Sequence, residues 1–584
     1  MDGFEGPQGY SERFGLTHVN FEDANRQRTP KQSAYFFSGV IENNGFGTPA
    51  RHLKEVAEIT VTPRTSKLVA SQVPSEAKVV WDTLSRQSRF QRHKYHYGTF
   101  PQDFLWGVSS SAYQIEGAWR ADGKGMSIWD KFSHTPGKVL HNDNGDIACD
   151  SYNKLEIDIG LLKQLKVTHY RMSISWPRVL PDGTTNNINE AGVDYYHRVI
   201  DALLAANIQP QVTLYHWDLP QALEDQGGWL SDMVVDRFRE YADFLFSRFG
   251  HKVKFWITIN EPYIIALLGY GYGSFAPGNH DPGSLHYVAG HNVIKAHAEA
   301  WHVYNDKYRA EQKGRISITL NSDWAEPRNP YKQEDIDAAK RYMDFFLGWF
   351  ANPIFVGDYN EPMKRIIRER SLANGLDKSR LPEFTPAEIE RIRGTHDFFG
   401  LNHYTSVLAF MVISDRTWLE SGSNWLKIAP LGFRKLLKYI KDEYGDPPIL
   451  VTENGVSENG PVDLNDEHRS YFYENYINEM LKANMTDGAN VIGYTAWSLM
   501  DNLEWASGYG ERFGLFYVNH TNADRPRTPK TSVPFYTTIV RCNGFPNPAD
   551  GPHDCTNPLF STSGPISDAL LIVSKKRSKK RRDD

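Results

Sequence analysis

Eight times between residues 104 and 540, a short apolar run is followed by a longer stretch with helical periodicity. The runs are Phe104–Ser111, Val167–Trp176, Gln209–Trp217, Val253–Asn260, Arg315–Asn321, Asp397–Tyr404, Ile449–Glu453 and Val491–Leu499. Between them lie amphipathic segments such as LEIDIGLLKQL, VDYYHRVIDALLAA, DRFREYADFLFSRFG and FRKLLKYIKDEYG. Eight strand–helix units over about 440 residues predict an α/β fold, a single (β/α)8 barrel with long insertions in the loops that follow the strands. A doubly wound sheet alternates in the same way, but it would carry a Gly-rich phosphate turn after its first strand, and none is present. GYGYGSF at 269–275 lacks both the GxGxxG spacing and a strand immediately before it.

A second feature sets the boundaries. Met1–Phe46 aligns with Met500–Phe545 at a constant offset of 499 without a gap, and 23 of the 46 positions are identical. Self-similarity of this kind marks tandem units, here of about 500 residues. The chain therefore reads as four parts: the truncated C-terminal piece of an upstream unit (1–46), a polar, Pro-containing linker (47–97), one whole unit (98–545) and a tail (546–584). The first piece lacks seven strands and has no catalytic prospect alone.

Composition narrows the function classes. No window reaches the ~18 apolar residues of a membrane helix. Net charge is −6, and because Lys575–Asp584 holds seven basic and two acidic side chains, the rest of the chain is more acidic still. An acidic body argues against nucleic-acid binding. The three cysteines form no CxxC or Cys/His cluster, so no metal site is indicated, and no cofactor is expected. Cys542 and Cys555 are near enough in sequence to bridge or to stay free. Asn484-Met-Thr and Asn519-His-Thr are N-glycosylation sequons, a pattern that also arises by chance. Aromatics reach 13 %, with 15 Trp and 30 Tyr, which suits either a large core or a site for amphipathic ligands such as sugars.

Polar residues gather where the runs end: LYHWD on the third, ITINEP on the fourth, LVTENG on the seventh and TAWSLMDNLEW on the eighth. Barrel enzymes carry their chemistry at the C-terminal ends of strands. Glu261 and Glu453, 192 residues apart in sequence, are thus expected to face each other across the barrel mouth. Two facing carboxyls can serve as acid/base and nucleophile on an acetal.

These segments resemble glycoside hydrolase family 1. The likeness rests on Thr258-Ile-Asn260-Glu261-Pro262 and Ile449-Leu-Val-Thr-Glu453-Asn454-Gly455, with FLWGVSSSAYQIEGAW, YRMSISWPR, YHWDLPQAL and WSLMDNLEWASGYGERFG, and it runs from about Gly98 to Phe545. It implies that Glu261 is the acid/base and Glu453 the nucleophile. By the same matching, Gln114, His216, Asn260, Trp497 and Glu504 hydrogen-bond or stack on the terminal sugar, flanked by Trp505 and Phe513. Arg171 and Tyr404 contact the nucleophile, keeping it ionised and aimed, with Tyr404 also at the sugar site, and Trp425 is a platform for the aglycone. The implied activity is retaining hydrolysis of terminal β-D-glucosides and β-D-galactosides, with small β-glycosides as partners. Both glutamates and the Glu504–Trp505 pair are present, which sets the chain apart from thioglucoside-cleaving, 6-phosphosugar-specific and receptor-like relatives.

The sequence departs from the family pattern in places. His403 stands where Tyr is commoner, Pro430-Leu431-Gly432 replaces Pro-Glu-Gly, and Gly6 in the partial unit replaces the indole of the Glu–Trp pair. Tandem members of the family are extracellular proteins held at the apical plasma membrane by a C-terminal helix. Here only Ala569–Val573 is apolar before the basic cluster, and MDGFEGPQGY is no leader. The sequence thus reads as a fragment or an incomplete gene product. Two rivals to an active enzyme stand beside it: a catalytically weak glycan-binding barrel, and a purely structural repeat.

Overall fold

A computed structural model describes residues 17–19, 28–30, 78–409 and 419–557. Most of the partial repeat, residues 47–77 of the expected linker and the tail from residue 558, basic cluster included, lie outside these residues. The chain divides into two compact units, Met1–Gln72 and Val73–Asp584.

Within the second unit the eight apolar runs become the eight strands of a closed barrel. They are β1 (Leu105–Ser109), β2 (His169–Ser173), β3 (Gln209–Tyr215), β4 (Phe255–Asn260), β5 (Arg315–Asn321), β6 (Phe399–Asn402), β7 (Ile449–Asn454) and β8 (Val491–Trp497). Each pairs in parallel with its neighbours in sequence, and β8 closes onto β1. The expected (β/α)8 fold is therefore present. The amphipathic segments form the helices Leu155–Leu165, Glu190–Ala205, Met233–Phe249 and Leu431–Tyr444, whose apolar faces are buried. Parallel strands require such crossovers, and the crossovers cover the outer face of the sheet. Among the described residues no helix is long and apolar enough to cross a membrane.

Because all eight strands run parallel, their C-terminal ends open on one side. At the opposite end, Gly544–Phe545 pairs antiparallel with Gly98–Thr99, just before β1. Cys542 and Cys555 are joined by a disulfide there.

The repeat is visible in the backbone. In the first unit Thr17–Val19 pairs antiparallel with Arg28–Pro30, Thr17 opposite Pro30. In the second, Phe516–Val518 pairs with Arg527–Pro529, Phe516 opposite Pro529. The same offset thus specifies the same hairpin register twice.

One expected boundary moves. The stretch assigned to a linker as far as residue 97 is folded from Lys78 onward, with helices at Lys78–Thr83 and Arg89–His93. Trp81 is the reason: it is fully buried, stacks on Trp324 at 5.2 Å and donates its indole N–H to the Ala325 carbonyl. A Ser88–Gln91 capping box starts the second helix.

Candidate active site

The strand ends enclose a cavity of about 400 Å³. Of the residues expected at the site, His216, Glu261, Tyr404, Trp425, Glu453, Trp497, Glu504, Trp505 and Phe513 line it. Arg171 and Asn260 are buried and do not line it, but they hold residues that do.

Glu453 lies on β7 and is 4 % exposed. Its Oε1 accepts from Arg171 Nη1, and its Oε2 accepts from the Tyr404 hydroxyl at 2.7 Å. Arg171, on β2 and itself buried, spends its remaining donors on Thr213 Oγ1, the Thr452 carbonyl and Asn260 Oδ1. Glu453 therefore sits against a fixed cation with both oxygens occupied. Gly455 lets this segment close: a Cβ there would lie 1.9 Å from the Trp497 carbonyl oxygen.

Glu261 follows β4 with a left-handed backbone (φ 48°) and precedes Pro262. A non-glycine residue held there is strained, and Trp217 (φ 77°) and Trp505 (φ 49°) share that conformation in the same cavity wall. Glu261 Oε1 accepts from Asn402 Nδ2. Burial first, and the Glu453 charge second, push the Glu261 carboxyl up to about 8, while the Asn402 hydrogen bond and the Arg171 charge pull the other way. Glu261 is thus protonated near neutrality.

Asn260 connects the two. Its Oδ1 accepts from Arg171 Nη2 at 2.6 Å and from Asn402 Nδ2 at 3.1 Å. Two donors on one oxygen fix the amide orientation and leave its NH2 group beside His216 Nε2, 3.1 Å away. His216 is neutral, because burial and then the Arg171 charge lower its pKa well below the usual value. Its ring faces Trp497 at 6.1 Å and Trp505 at 5.8 Å.

Glu504 makes no side-chain hydrogen bond among the described residues. Burial, followed by the charges of Glu511, Glu453 and Glu261, raises its pKa well above the carboxylate range. Its loop is anchored from below. Asp501 Oδ1 accepts from Lys530 Nζ at 3.0 Å and from the Gly514 N–H at 2.8 Å, and Lys530 also reaches Glu458 at 2.7 Å. Glu511 accepts from Ser507 and Ser423, tying this loop to the one that carries Trp425. Trp425 is 54 % exposed and meets Tyr404 edge-on at 5.7 Å.

Gln114 lies against the loop that carries Glu504. It is buried outside the cavity lining; its Nε2 donates to Asn502 Oδ1 and the Leu503 carbonyl, and its Oε1 accepts from Ser111. With both amide hydrogens used on the loop before Glu504, it holds that loop in this structure. His403, the departure from the family pattern, is also away from the cavity wall. It is buried, stacks on Phe433 and, through Nδ1, bonds the Ser322 carbonyl at 2.8 Å.

Sequence reasoning gave no role to Asn402, Asp323, Asp501, Glu511 or Lys530. Asn402 and Asp323 follow the same strand-end rule that found Glu261. Asp501 and Lys530 were marked by the repeat, recurring as Asp2 and Lys31 at the shared offset. The sequon residues differ too. Asn484 Nδ2 bonds the Ala489 and Val491 carbonyls. Asn519 accepts from Thr521 through Oδ1 and leaves its amide nitrogen uncommitted among the described residues.

Comparison with known proteins gives the same answer as the geometry. Human lactase/phlorizin hydrolase is 55 % identical over 574 residues, covering 95 % of this chain and 28 % of that protein. The chain thus spans little more than a quarter of that relative. Human cytosolic beta-glucosidase is 46 % identical over 465 residues, 76 % of this chain and 99 % of that protein. A GH1 beta-glucosidase from the fungus Humicola insolens, solved in complex with glucose, superposes with a TM-score of 0.71 at 40 % identity, covering 76 % of this chain and 98 % of that one. The sequence model of "Glycosyl hydrolase family 1" matches residues 1–46 and 96–545. The chain belongs to glycosyl hydrolase family 1, and its barrel is an O-glycosyl hydrolase domain of that family.

Proposed function

We propose that the chain is a retaining β-glycosidase that removes terminal non-reducing β-D-glucosyl and β-D-galactosyl residues by double displacement. The observation that carries this reading is the asymmetry of the two buried carboxyls: Glu453 against the Arg171 cation and the Tyr404 hydroxyl, Glu261 protonated beside an amide.

In the first step Glu453 attacks the anomeric carbon while the Glu261 proton passes to the departing glycosidic oxygen. A glycosyl ester on Glu453 results, and its formation removes the negative charge that helped keep Glu261 protonated. Glu261 then becomes a better base at the moment it must take a proton from the incoming water. Water attacks the same carbon, Glu453 leaves, and the configuration is retained. Glu504 accepts from sugar hydroxyls, Asn260 donates to the hydroxyl beside the reacting carbon, and Trp497 covers the apolar face of the ring.

The relatives, a lactase/phlorizin hydrolase and a beta-glucosidase, support both sugars. Glucose and galactose differ only at the 4-hydroxyl, which a carboxyl such as Glu504 serves in either epimer. We place the protein outside the cytosol, in keeping with its Cys542–Cys555 disulfide.

The test is hydrolysis of paired p-nitrophenyl β-glucoside and β-galactoside by the full chain and by Glu453→Gln. Turnover of both, lost in the variant, supports the proposal. A folded protein that binds glucose without turnover would favour a glycan-binding barrel instead.

A further inference from the structure

The Glu504 carboxyl makes no side-chain hydrogen bond among the described residues, so its aim is set by the backbone that carries it. That backbone is the loop 501–514 after β8, four of whose members, Glu504, Trp505, Glu511 and Phe513, line the cavity. The loop is closed at its neck. A Cβ on Gly514 would lie 2.0 Å from the Asp501 nitrogen, so the two limbs touch there. Asp501 Oδ1 accepts from the Gly514 N–H at 2.8 Å and from Lys530 Nζ at 3.0 Å.

Lys530 reaches this neck from outside the loop. Both partners are buried, Lys530 at 1 % and Asp501 at 0 % exposure. Burial pushes the Asp501 carboxyl up, and the Lys530 charge is the largest influence pulling it back down.

The other side of the same ammonium meets Glu458 at 2.7 Å. Glu458 lies in the loop after β7, five residues beyond Glu453. Its N–H donates to the Arg512 carbonyl at 3.0 Å, and the Arg512 N–H donates back to the Glu458 carbonyl at 2.9 Å. The Glu458 carboxylate has further cations in Arg512 at 3.3 Å and Arg469 at 3.9 Å. Removing the Lys530 charge therefore leaves Glu458 compensated, whereas Asp501 becomes a buried carboxylate without its ion pair.

We propose that Lys530 is a positioning residue for the sugar: its one ammonium joins the loop after Glu453 to the loop that carries Glu504, and so fixes the sugar-holding carboxyl relative to the nucleophile. Hydrogen bonds between ionised partners are strong and directional, and burial shields this pair from water. Without the ammonium, Asp501 must take up a proton or draw water into the neck, because a lone buried carboxylate is costly. The neck then loosens, and Glu504, with no side-chain bond of its own, moves with it. Glu261 and Glu453 are held by a separate set of side chains, Asn402, Asn260 and Arg171, and keep their places.

This assignment rests on the glycosidase reading, and a double-mutant cycle tests it. A lysine that served the fold alone would lower stability and slow every variant by the same factor; a positioning lysine acts through Glu504. The quantity measured is kcat/KM for p-nitrophenyl β-glucoside, with the full chain as wild type, Lys530→Met, Glu504→Gln and the double variant, each scaled to its folded fraction by near-UV circular dichroism. Lys530→Met is expected to lower it roughly 10- to 100-fold in the wild-type background, the size of a misplaced binding group. In the Glu504→Gln background, where the carboxyl to be aimed is already gone, the further loss is expected to stay below about threefold. Asp501→Asn keeps an oxygen for the Gly514 N–H and drops the charge, so it is expected to show a smaller loss with the same dependence on Glu504, and it decides the matter where Lys530→Met does not fold. Wild-type kcat/KM in the folded variant, or the same loss in both backgrounds, overturns the proposal. Wild-type inactivity on the aryl glucoside overturns the glycosidase reading, and this assignment with it.

Discussion

Glu261 and Glu453 are joined by one path of three side chains: Asn402 donates to Glu261 and to Asn260, and Arg171 donates to Asn260 and to Glu453. The path ends on unlike partners. One carboxyl meets a neutral amide and stays protonated, while the other meets a guanidinium. Arg171, Asn260, Asn402 and Glu453 lie on β2, β4, β6 and β7, so the barrel itself holds the two carboxyls in place relative to each other.

The raised Glu261 pKa gives a pH dependence. The first step needs Glu261 protonated, so kcat/KM falls as pH rises through about 8. A pH–rate profile with p-nitrophenyl β-glucoside checks this. A basic limb already complete at pH 6 would contradict it.

The same shift predicts a stability effect. A carboxyl whose folded pKa lies above its unfolded value contributes stability that is fully present below about 4.5 and is lost as pH rises through about 8. Glu261→Gln removes that ionisation penalty. Its stability is expected to exceed that of wild type at pH 9, by on the order of 2 kcal/mol, with a smaller gap and a smaller rise in Tm at pH 5. Thermal unfolding at the two pH values measures it.

Arg171 is fully buried and makes four hydrogen bonds. Arg171→Met leaves Glu453 as an uncompensated buried charge. Urea denaturation is expected to show a loss of about 3–5 kcal/mol, with loss of turnover. Stability close to wild type would show that the pair is dispensable to the fold.

The Cys542–Cys555 bond closes a 13-residue separation at the end of the barrel away from the cavity. Replacing both cysteines by serine is expected to cost up to about 3 kcal/mol while leaving kcat/KM within about twofold. Calorimetry and the aryl glucoside assay check the two halves separately.

The sequons are predicted to behave differently. Asn484 commits its amide to backbone carbonyls, whereas Asn519 presents a free amide nitrogen beside Thr521. Expression through a secretory pathway should place a glycan on Asn519 and not on Asn484, as peptide mass mapping would reveal. Occupancy of Asn484 alone would contradict this.

The barrel was legible because its strands are apolar runs bounded by polar strand ends: seven of the eight runs contain the observed strand, and the seventh falls one residue short, at Glu453 instead of Asn454. Residues on the cavity wall were legible where a polar or aromatic side chain stood at such an end. Contacts that depend on distant partners were not: Asn402 lies 141 positions from Glu261, and no local pattern reports their meeting. The contacts of Gln114 were not legible for the same reason, since the loop it bonds is 388 residues further on. The linker boundary failed on Trp81, one buried ring in an otherwise polar stretch whose partners, Trp324 and Ala325, are brought to it only by the fold.

The most direct test of the double-displacement account is covalent trapping. The full chain is incubated with a 2-deoxy-2-fluoro-β-glucoside bearing a good leaving group, digested and mapped by mass spectrometry. The account predicts a single fluoroglucosyl adduct on the peptide containing Glu453, absent in Glu453→Gln. No adduct on an enzyme that turns over the parent glucoside, or an adduct on another residue, would contradict it.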